Sequence, residues 1–213
     1  MRKEIFATYT GWLILLNVVS FLAFLILITV LGETKTISFL ALQPSTILAG
    51  KNLWTFITSM FLHAGVGHLF VNMLSLLFIG SFVERLIGKK RFIIFYFASG
   101  LGAGLLFVLV SLFTNTDLNV YAVGASGAIF GLGGLLAVLT PKLPVLVFFI
   151  IPMPMWLAMI GMLAILWAAS LAIGLPIGNV AHLGGLLVGL AYGFYLKLRY
   201  PKKTLMISRY FSR

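Results

Sequence analysis

The stretch VGASGAIFGLGG, residues 123–134, places a single serine, Ser126, in a closely spaced frame of glycines. Several of these glycines recur three or four residues apart, at Gly127, Gly131 and Gly134. This spacing puts them on one face of a helix, where small residues allow a second helix to approach closely. A similar stripe follows in AHLGGLLVGLAYG, residues 181–193, at Ala181, Gly185, Gly189 and Gly193. We therefore expect the two helices that carry these stripes to pack against each other.

The composition is that of an integral membrane protein. Of 213 residues, 62% are hydrophobic and 9% are charged, and the mean hydropathy is +1.15. Soluble domains, in contrast, carry about 25% charged residues. No polar linker or low-complexity run divides the sequence, so we expect one domain over residues 1–213. Cysteine is absent, which excludes disulfides, thiolate metal sites and a cysteine nucleophile.

Six apolar segments predict six membrane-spanning helices. A helix needs about 20 residues to cross the hydrocarbon core, which is about 30 Å thick. The segments cover residues 11–31, 66–82, 91–113, 126–140, 143–173 and 180–198. The fifth is too long for one straight span and too short for two, and we expect Pro152 and Pro154 to break or kink it. The predicted fold class is an all-α membrane protein, a bundle of six transmembrane helices.

The basic residues predict the orientation of these spans. An even number of spans puts both termini on one side of the membrane, and that side carries all of the 15 Lys and Arg residues except Lys35 and Lys51. By the positive-inside rule, we expect a multi-pass protein of the cell membrane with both termini in the cytoplasm. The net charge of +11 then reflects contacts with membrane lipids, and we expect no nucleic-acid partner.

The fourth segment is short, which predicts a recessed start. Its fifteen residues, 126–140, give a helix of roughly 22 Å, less than the core of about 30 Å. Ser126 should therefore lie below the outer surface, and the polar stretch 114–125 can reach that depth only where protein or water satisfies its backbone. The second, fourth and sixth segments all begin on the outside, so four polar residues reach a similar depth: His68, Asn72, Ser126 and His182. These features predict a buried, wet pocket.

The four polar residues of this pocket suit nucleophilic catalysis. A serine hydroxyl attacks poorly until a base accepts its proton, and histidine is the usual base. Packing of the glycine stripes would bring His182 within hydrogen-bonding distance of Ser126. His68 and Asn72 lie four residues apart on one helix face, and with the backbone N–H of Ser126 they are candidate donors for an oxyanion. The sequence therefore predicts a catalytic dyad of Ser126 and His182.

Other hydrolytic and metal chemistries fit the sequence poorly. The carboxylates of the chain are Glu4, Glu33, Glu84 and Asp117. None is placed to complete a triad, and a single aspartate excludes a two-aspartate protease. The His-Glu-x-x-His motif of zinc proteases is absent. His63 and His68 would point about 140° apart on one helix, which disfavours a shared metal, and we expect neither a metal nor a cofactor.

At these residues the sequence resembles the rhomboid family of intramembrane serine proteases. Four motifs carry the resemblance, in the family's order: His63-x4-His68-x3-Asn72, Glu84-x3-Gly88, Gly124-Ala125-Ser126-Gly127 and Ala181-His182-Leu183-Gly184-Gly185. Gly-x-Ser-Gly alone is a weak signal, because many proteins contain it. The four motifs together, on six predicted spans, are a specific combination.

The resemblance implies an activity and a role for each pocket residue. A rhomboid protease is a six-helix serine endopeptidase that cleaves transmembrane segments of membrane proteins near the outer leaflet. The resemblance makes Ser126 the nucleophile and His182 the base, and it makes His68 and Asn72 contributors to the oxyanion site. Transmembrane proteins are the implied substrates.

The resemblance also assigns residues that surround this pair. Gly124 and Gly127 frame the serine and allow close packing or substrate approach. Phe130 occupies a position where relatives often have a tyrosine that packs on the base, and phenylalanine keeps the stacking without the hydroxyl. The Trp-Arg pair that many relatives carry in the first loop is missing from residues 32–51.

Two other functions compete with proteolysis. A catalytically inactive rhomboid-like protein would keep the fold and bind membrane clients, but such relatives commonly lack the serine or the histidine, and this chain has both. A small transporter or channel would use the polar outer pocket, but no line of polar residues continues into the cytoplasmic half.

Overall fold

The computed structural model describes residues 8–147, 150–173 and 178–211. In chain order its helices are α1 (Tyr9–Leu31), α2 (Glu33–Leu40), α3 (Pro44–Leu48), α4 (Thr55–Thr58), α5 (Val66–Ile87), α6 (Lys89–Thr114), α7 (Ser126–Leu139), α8 (Met155–Ile173), α9 (Asn179–Arg199) and α10 (Pro201–Tyr210). A 3₁₀ turn, Ser59–Phe61, follows α4, and a hairpin of β1 (Pro144–Val147) and β2 (Ile151–Pro154) precedes α8.

Six of these helices form the membrane bundle. Among the described residues, α1, α5, α6, α8 and α9 are long and apolar enough to cross a membrane, and α7 is apolar but shorter. The predicted fold class, an all-α bundle of six membrane helices, is confirmed. The chain is therefore a multi-pass membrane protein.

The fifth apolar segment is the main departure from the predicted spans. Its helix begins at Met155 and not at residue 143, because the preceding residues pair as antiparallel strands, with Pro144 opposite Pro154 and Val147 opposite Ile151. Proline lacks the N–H that a helix interior requires, so the break expected near residues 152–154 does occur there. The apolar residues before it form a hairpin instead of extending the span.

The second span is longer than predicted. α5 continues to Ile87, past the predicted end at residue 82, and its segment Leu76–Gly80 is π-helical. Gly88, which has a φ of 86°, ends the helix, and its backbone N–H bonds to the carbonyl of Glu84. The remaining spans begin and end within two residues of their predicted bounds.

The central helix of the bundle is α7, which packs against α6, α8 and α9. Its contact with α9 is backbone to backbone. A Cβ atom on Gly185 would overlap the carbonyl oxygen of Gly127, and one on Gly189 would overlap the carbonyl oxygen of Gly131. The two glycine stripes thus pack as expected, and they place the starts of α7 and α9 side by side.

Glu84 connects the end of α5 to the start of α1. Its buried carboxylate accepts hydrogen bonds from the backbone N–H groups of Tyr9 and Thr10, at 2.9 and 2.8 Å, and from the Thr10 hydroxyl at 2.7 Å. The first N–H groups of a helix have no partner within it, and negative charge there interacts favourably with the helix dipole. The Glu84 carboxylate therefore caps α1.

We expect Glu84→Ala to lower the free energy of unfolding by about 2–3 kcal/mol, because the substitution leaves donors of α1 without their charged acceptor. Thermal unfolding in detergent micelles would show this as a lower midpoint. Glu33→Ala is the matched control, since it removes the same charge from an exposed residue in the first turn of α2. Equal shifts in the two variants would contradict the capping role.

The two ends of the bundle differ in charge. The end where α1 begins and α9 ends is called the basic end, because Lys and Arg residues cluster in the segments that meet there: Arg85, Lys89, Lys90, Arg91, Lys142, Lys197, Arg199, Lys202, Lys203 and Arg209. The opposite end, where α7 and α9 begin, is called the site end. Ser126 and His182 both lie at the site end.

Candidate active site

Ser126 and His182 contact each other at the site end. Ser126 is the first residue of α7, and His182 lies in the first turn of α9. Ser126 Oγ is 2.7 Å from His182 Nε2, which is a hydrogen-bonding distance. The contact follows from the glycine packing, because Gly127 and Gly185 meet within one turn of these two residues. We call them the Ser126–His182 pair.

The imidazole of His182 stacks on Phe130. The two ring centroids are 4.6 Å apart and the rings are 16° from parallel. Phe130 lies one turn after Ser126 on α7, so one helix supplies both the hydroxyl and the aromatic face that orients the histidine. His182 is buried, and its Nδ1 has no hydrogen-bond partner in the described part of the chain. The arrangement is therefore that of a two-residue pair without a carboxylate on Nδ1.

His68 approaches the pair from α5. Gly124 has a φ of 119°, and a Cβ atom on it would lie 2.9 Å from His68 Nε2 and 3.6 Å from Ser126 Oγ. Glycine is favoured at this position because a residue with a side chain rarely adopts this φ and because its Cβ atom would lie too close to the His68 imidazole. His68 Nδ1 accepts a long hydrogen bond, 3.4 Å, from the backbone N–H of Ala64. In the neutral ring the proton is then on Nε2, and His68 presents an N–H donor close to Ser126.

Asn72 is buried one turn after His68. Its side-chain amide donates a hydrogen bond of 2.9 Å to the backbone carbonyl of His68. One amide N–H is therefore used within α5. An asparagine amide has a second N–H, and that group is the donor that Asn72 could contribute to the pocket.

His63 supports the pocket from outside the helix. Its ring packs edge-on against His68, with the centroids 5.1 Å apart. Burial, together with the nearby His68 ring, lowers the pKa of His63 to about 4, so the side chain is neutral near pH 7. A buried neutral ring that packs against His68 suits a positioning role.

The polar stretch before Ser126 is held by the first loop. Four backbone hydrogen bonds join the two segments: Leu42 N to Ala122 O at 3.2 Å, Ala122 N to Leu42 O at 2.8 Å, Ser45 N to Leu118 O at 2.8 Å, and Gly124 N to Ser59 O at 2.8 Å. Protein groups thus satisfy part of the backbone of residues 114–125, as the sequence predicted. The 14 residues of α7 span about 21 Å, again less than the bilayer core of about 30 Å.

The first loop contains a contact between two aromatic side chains, Phe39 and Trp54. Trp54 donates its indole N–H to the carbonyl of Phe39 at 2.8 Å, and the two ring centroids are 5.1 Å apart. Both side chains are exposed, which suits residues at the interface between lipid and water.

The geometry offers the components of an acyl-transfer site. The Ser126–His182 pair supplies a hydroxyl with an adjacent base, and His68 supplies an N–H donor beside it. The backbone N–H of Ser126 lies at the start of a helix, where the dipole favours negative charge. Three helices, α5, α7 and α9, and a loop held by backbone hydrogen bonds position these groups.

Comparison with known proteins agrees with this fold. Residues 50–199 match the family described as Rhomboid domain. The chain belongs to the rhomboid family. It is 42% identical over 161 residues to RHOMBOID-like protein 2 of Arabidopsis thaliana, and 39% identical over 161 residues to RHOMBOID-like protein 1 of the same plant. It is also 31% identical over 162 residues to Rhomboid protease GluP of Bacillus subtilis (strain 168).

These alignments cover most of this chain but a minor part of each relative. They include 75%, 75% and 74% of this chain, and 47%, 38% and 29% of the respective relatives. The chain thus spans less than half the length of each. The family match, residues 50–199, contains α5, α7 and α9, the helices that carry the site residues.

Proposed function

We propose that the protein is an intramembrane serine endopeptidase that cleaves transmembrane segments of membrane proteins. The observation that carries this proposal is the 2.7 Å contact between Ser126 Oγ and His182 Nε2 at the start of a short central helix. Membership of a family that includes named proteases supports it. We assign Ser126 as the nucleophile and His182 as the general base.

The reaction follows from the positions of these atoms. His182 Nε2 accepts the Ser126 hydroxyl proton while Oγ attacks the carbonyl carbon of the scissile peptide bond. The carbonyl oxygen becomes an oxyanion, which the His68 and Ser126 N–H groups stabilise, with the second N–H of Asn72 as a further donor. His182 then gives its proton to the leaving amine and the C–N bond breaks, which leaves an acyl ester on Ser126. A water molecule attacks this ester with His182 as base, and the free acid and the serine hydroxyl are released.

The position of the site supports a proposal for the substrate and for the side of cleavage. With the basic end in the cytoplasm, as the positive-inside rule requires, both chain termini are cytoplasmic and the site end lies in the outer half of the membrane. A peptide bond can reach a recessed serine there when it belongs to a segment within the same leaflet. We therefore propose membrane-spanning proteins as substrates, with cleavage near the outer surface.

The test uses the full chain reconstituted in liposomes with a single-span membrane protein as substrate. We expect a cut within or beside the transmembrane segment, which mass spectrometry of the products would locate, and we expect a fluorophosphonate to label Ser126. If the substrate binds but stays intact and Ser126 is not labelled, a client-binding protein without catalysis replaces this proposal. Flux of a small solute through sealed vesicles without proteolysis would instead indicate a transporter.

The role of His68 leads to a separate prediction. We expect His68→Ala to lower kcat by about 10²–10³-fold and to change KM little, because a donor to the oxyanion acts mainly in the transition state. Initial rates over a range of substrate concentrations in proteoliposomes separate the two constants. An unchanged kcat with a raised KM would show that His68 contacts the bound substrate instead.

A further inference from the structure

A cleft of about 320 Å³ lies between α7, α8 and α9, in the halves of these helices nearest the basic end. Its rim carries the exposed apolar side chains of Trp156, Ile160 and Phe194. These residues belong to helices that cross the membrane, so the cleft opens toward lipid. It lies at the opposite end of the bundle from the Ser126–His182 pair.

The cleft exists because α8 and α9 each pack closely on α7 but less closely on each other. Met159 of α8 occupies the room that Gly133 leaves, and a Cβ atom on Gly133 would overlap its sulfur. The glycines of α9 contact α7 on another side. A wedge remains between α8 and α9. The backbone N–H of Trp156 donates to the carbonyl of Pro141 at 3.3 Å. This bond joins the start of α8 to the segment that follows α7, beside the hairpin at the mouth of the wedge.

The interior of the cleft is apolar. Ala137, Leu186 and Leu190 line it, and they offer no side-chain hydrogen-bonding group. Water would find few hydrogen-bond partners in such a space, whereas a hydrocarbon chain from the surrounding bilayer has the same apolar character as its lining. The volume falls in the range of about 300–1,000 Å³ that is typical of small-molecule sites.

The charge at the mouth is positive. Lys197 is the charged residue that lines the cleft, and it is exposed. Lys142 follows Pro141, another lining residue, and is also exposed. The carboxylate described at this end is that of Glu84, which is buried and bonded to the start of α1. The cations at the mouth are therefore suited to a negative group that comes from outside the protein.

We propose that this cleft binds an anionic phospholipid, with an acyl chain between α8 and α9 and the phosphate on Lys197. The apolar interior, which opens to lipid, would bind the acyl chain. Lys197, at the level of the head groups, would bind the negatively charged phosphate. Basic pockets between transmembrane helices on the cytoplasmic side commonly bind such head groups. The tryptophan at the rim has the chemistry of an interfacial residue.

Native mass spectrometry of the full chain in a neutral detergent tests the proposal. Phosphatidylglycerol and phosphatidylcholine with identical acyl chains are titrated separately, and the bound fraction of each is measured. We expect tighter binding of phosphatidylglycerol, and we expect Lys197→Gln to weaken it about 5-fold while phosphatidylcholine binding stays unchanged. Lys203→Gln is the matched control, because Lys203 is an exposed lysine of the basic end that does not line the cleft. It should leave both affinities as they are.

Two further measurements separate the lipid from other occupants. Ala137→Phe fills the interior and should weaken binding of both lipids. Glycerol phosphate, which has the anionic group without the chains, should not displace the lipid at equal concentration. Equal losses in the two lysine variants would overturn the proposal in favour of a diffuse surface effect, and displacement by glycerol phosphate would overturn it in favour of a simple anion site. None of these readouts depends on peptidase activity.

Discussion

Ser126→Ala is expected to reduce peptide cleavage by at least about 10³-fold, because the substitution removes the hydroxyl oxygen that lies 2.7 Å from His182 Nε2 and that we propose as the nucleophile. The remaining groups would still bind substrate and could stabilise an oxyanion, but no acyl ester could form. Cleavage of a membrane-spanning substrate in proteoliposomes measures the loss. The fluorophosphonate label should disappear in the same variant.

Ser99→Ala is the matched control for this substitution. Ser99 is a buried serine of α6 whose hydroxyl has no hydrogen-bond partner among the described residues, and it lies against Gly131 of α7. Like Ser126, Ser99 lies in a membrane helix, but unlike Ser126 it does not contact the His182 imidazole in the described residues. We expect this variant to cleave close to the parent rate. If Ser126→Ala retained the activity of Ser99→Ala, Ser126 would not be the nucleophile.

Gly185→Ala is expected to lower kcat/KM by at least about 100-fold, although residue 185 carries no reactive group. Its Cβ atom would overlap the carbonyl oxygen of Gly127, which belongs to the backbone and cannot rotate away. The starts of α7 and α9 would then separate, and a displacement of about 1 Å between reacting groups can cost about 100-fold in rate. Overpacking should also lower the free energy of unfolding by about 1–3 kcal/mol. Rates and unfolding midpoints check the two effects separately.

Gly161→Ala provides the corresponding control. Gly161 lies in α8, and a Cβ atom there would have no heavy atom within 4 Å. The added methyl group should leave the rate unchanged and should slightly stabilise the helix, because alanine favours helix over glycine. A fully active Gly185→Ala variant with a normal midpoint would contradict the proposed dependence of the pair on glycine packing.

Much of the architecture could be predicted because each feature has a local signal. Apolar segments of about 20 residues indicate spans, and glycines at helical spacing indicate close packing. These two signals led to six helices and to the pairing of α7 with α9. The hairpin before Met155 could not be found in this way, because a short apolar run without clear periodicity fits a strand or a buried helix equally well.

The site was less accessible to prediction than the fold. From the glycine stripes, the sequence led us to expect His182 within hydrogen-bonding distance of Ser126, and the two side chains are 2.7 Å apart. The hydrogen bonds that set the tautomer of His68 and the backbone of Gly124 involve main-chain groups of Ala64 and Ser59, and no side-chain pattern marks such groups. The sequence also did not predict that one N–H of the Asn72 amide bonds to the backbone carbonyl of His68 in the same helix. The catalytic roles of these residues stay predictions.

The direct contact between the α7 and α9 backbones also restricts how the bundle can move. Two helices that touch through carbonyl and Cα atoms have no layer of side chains that could rearrange and let one slide along the other. α8, in contrast, rests on α7 through the thioether of Met159, which has three rotatable bonds and adapts easily to a new neighbour. The contact between α7 and α9 therefore fixes the relative position of Ser126 and His182, whereas α8 can shift more easily than α9 when a bulky group enters beside α7.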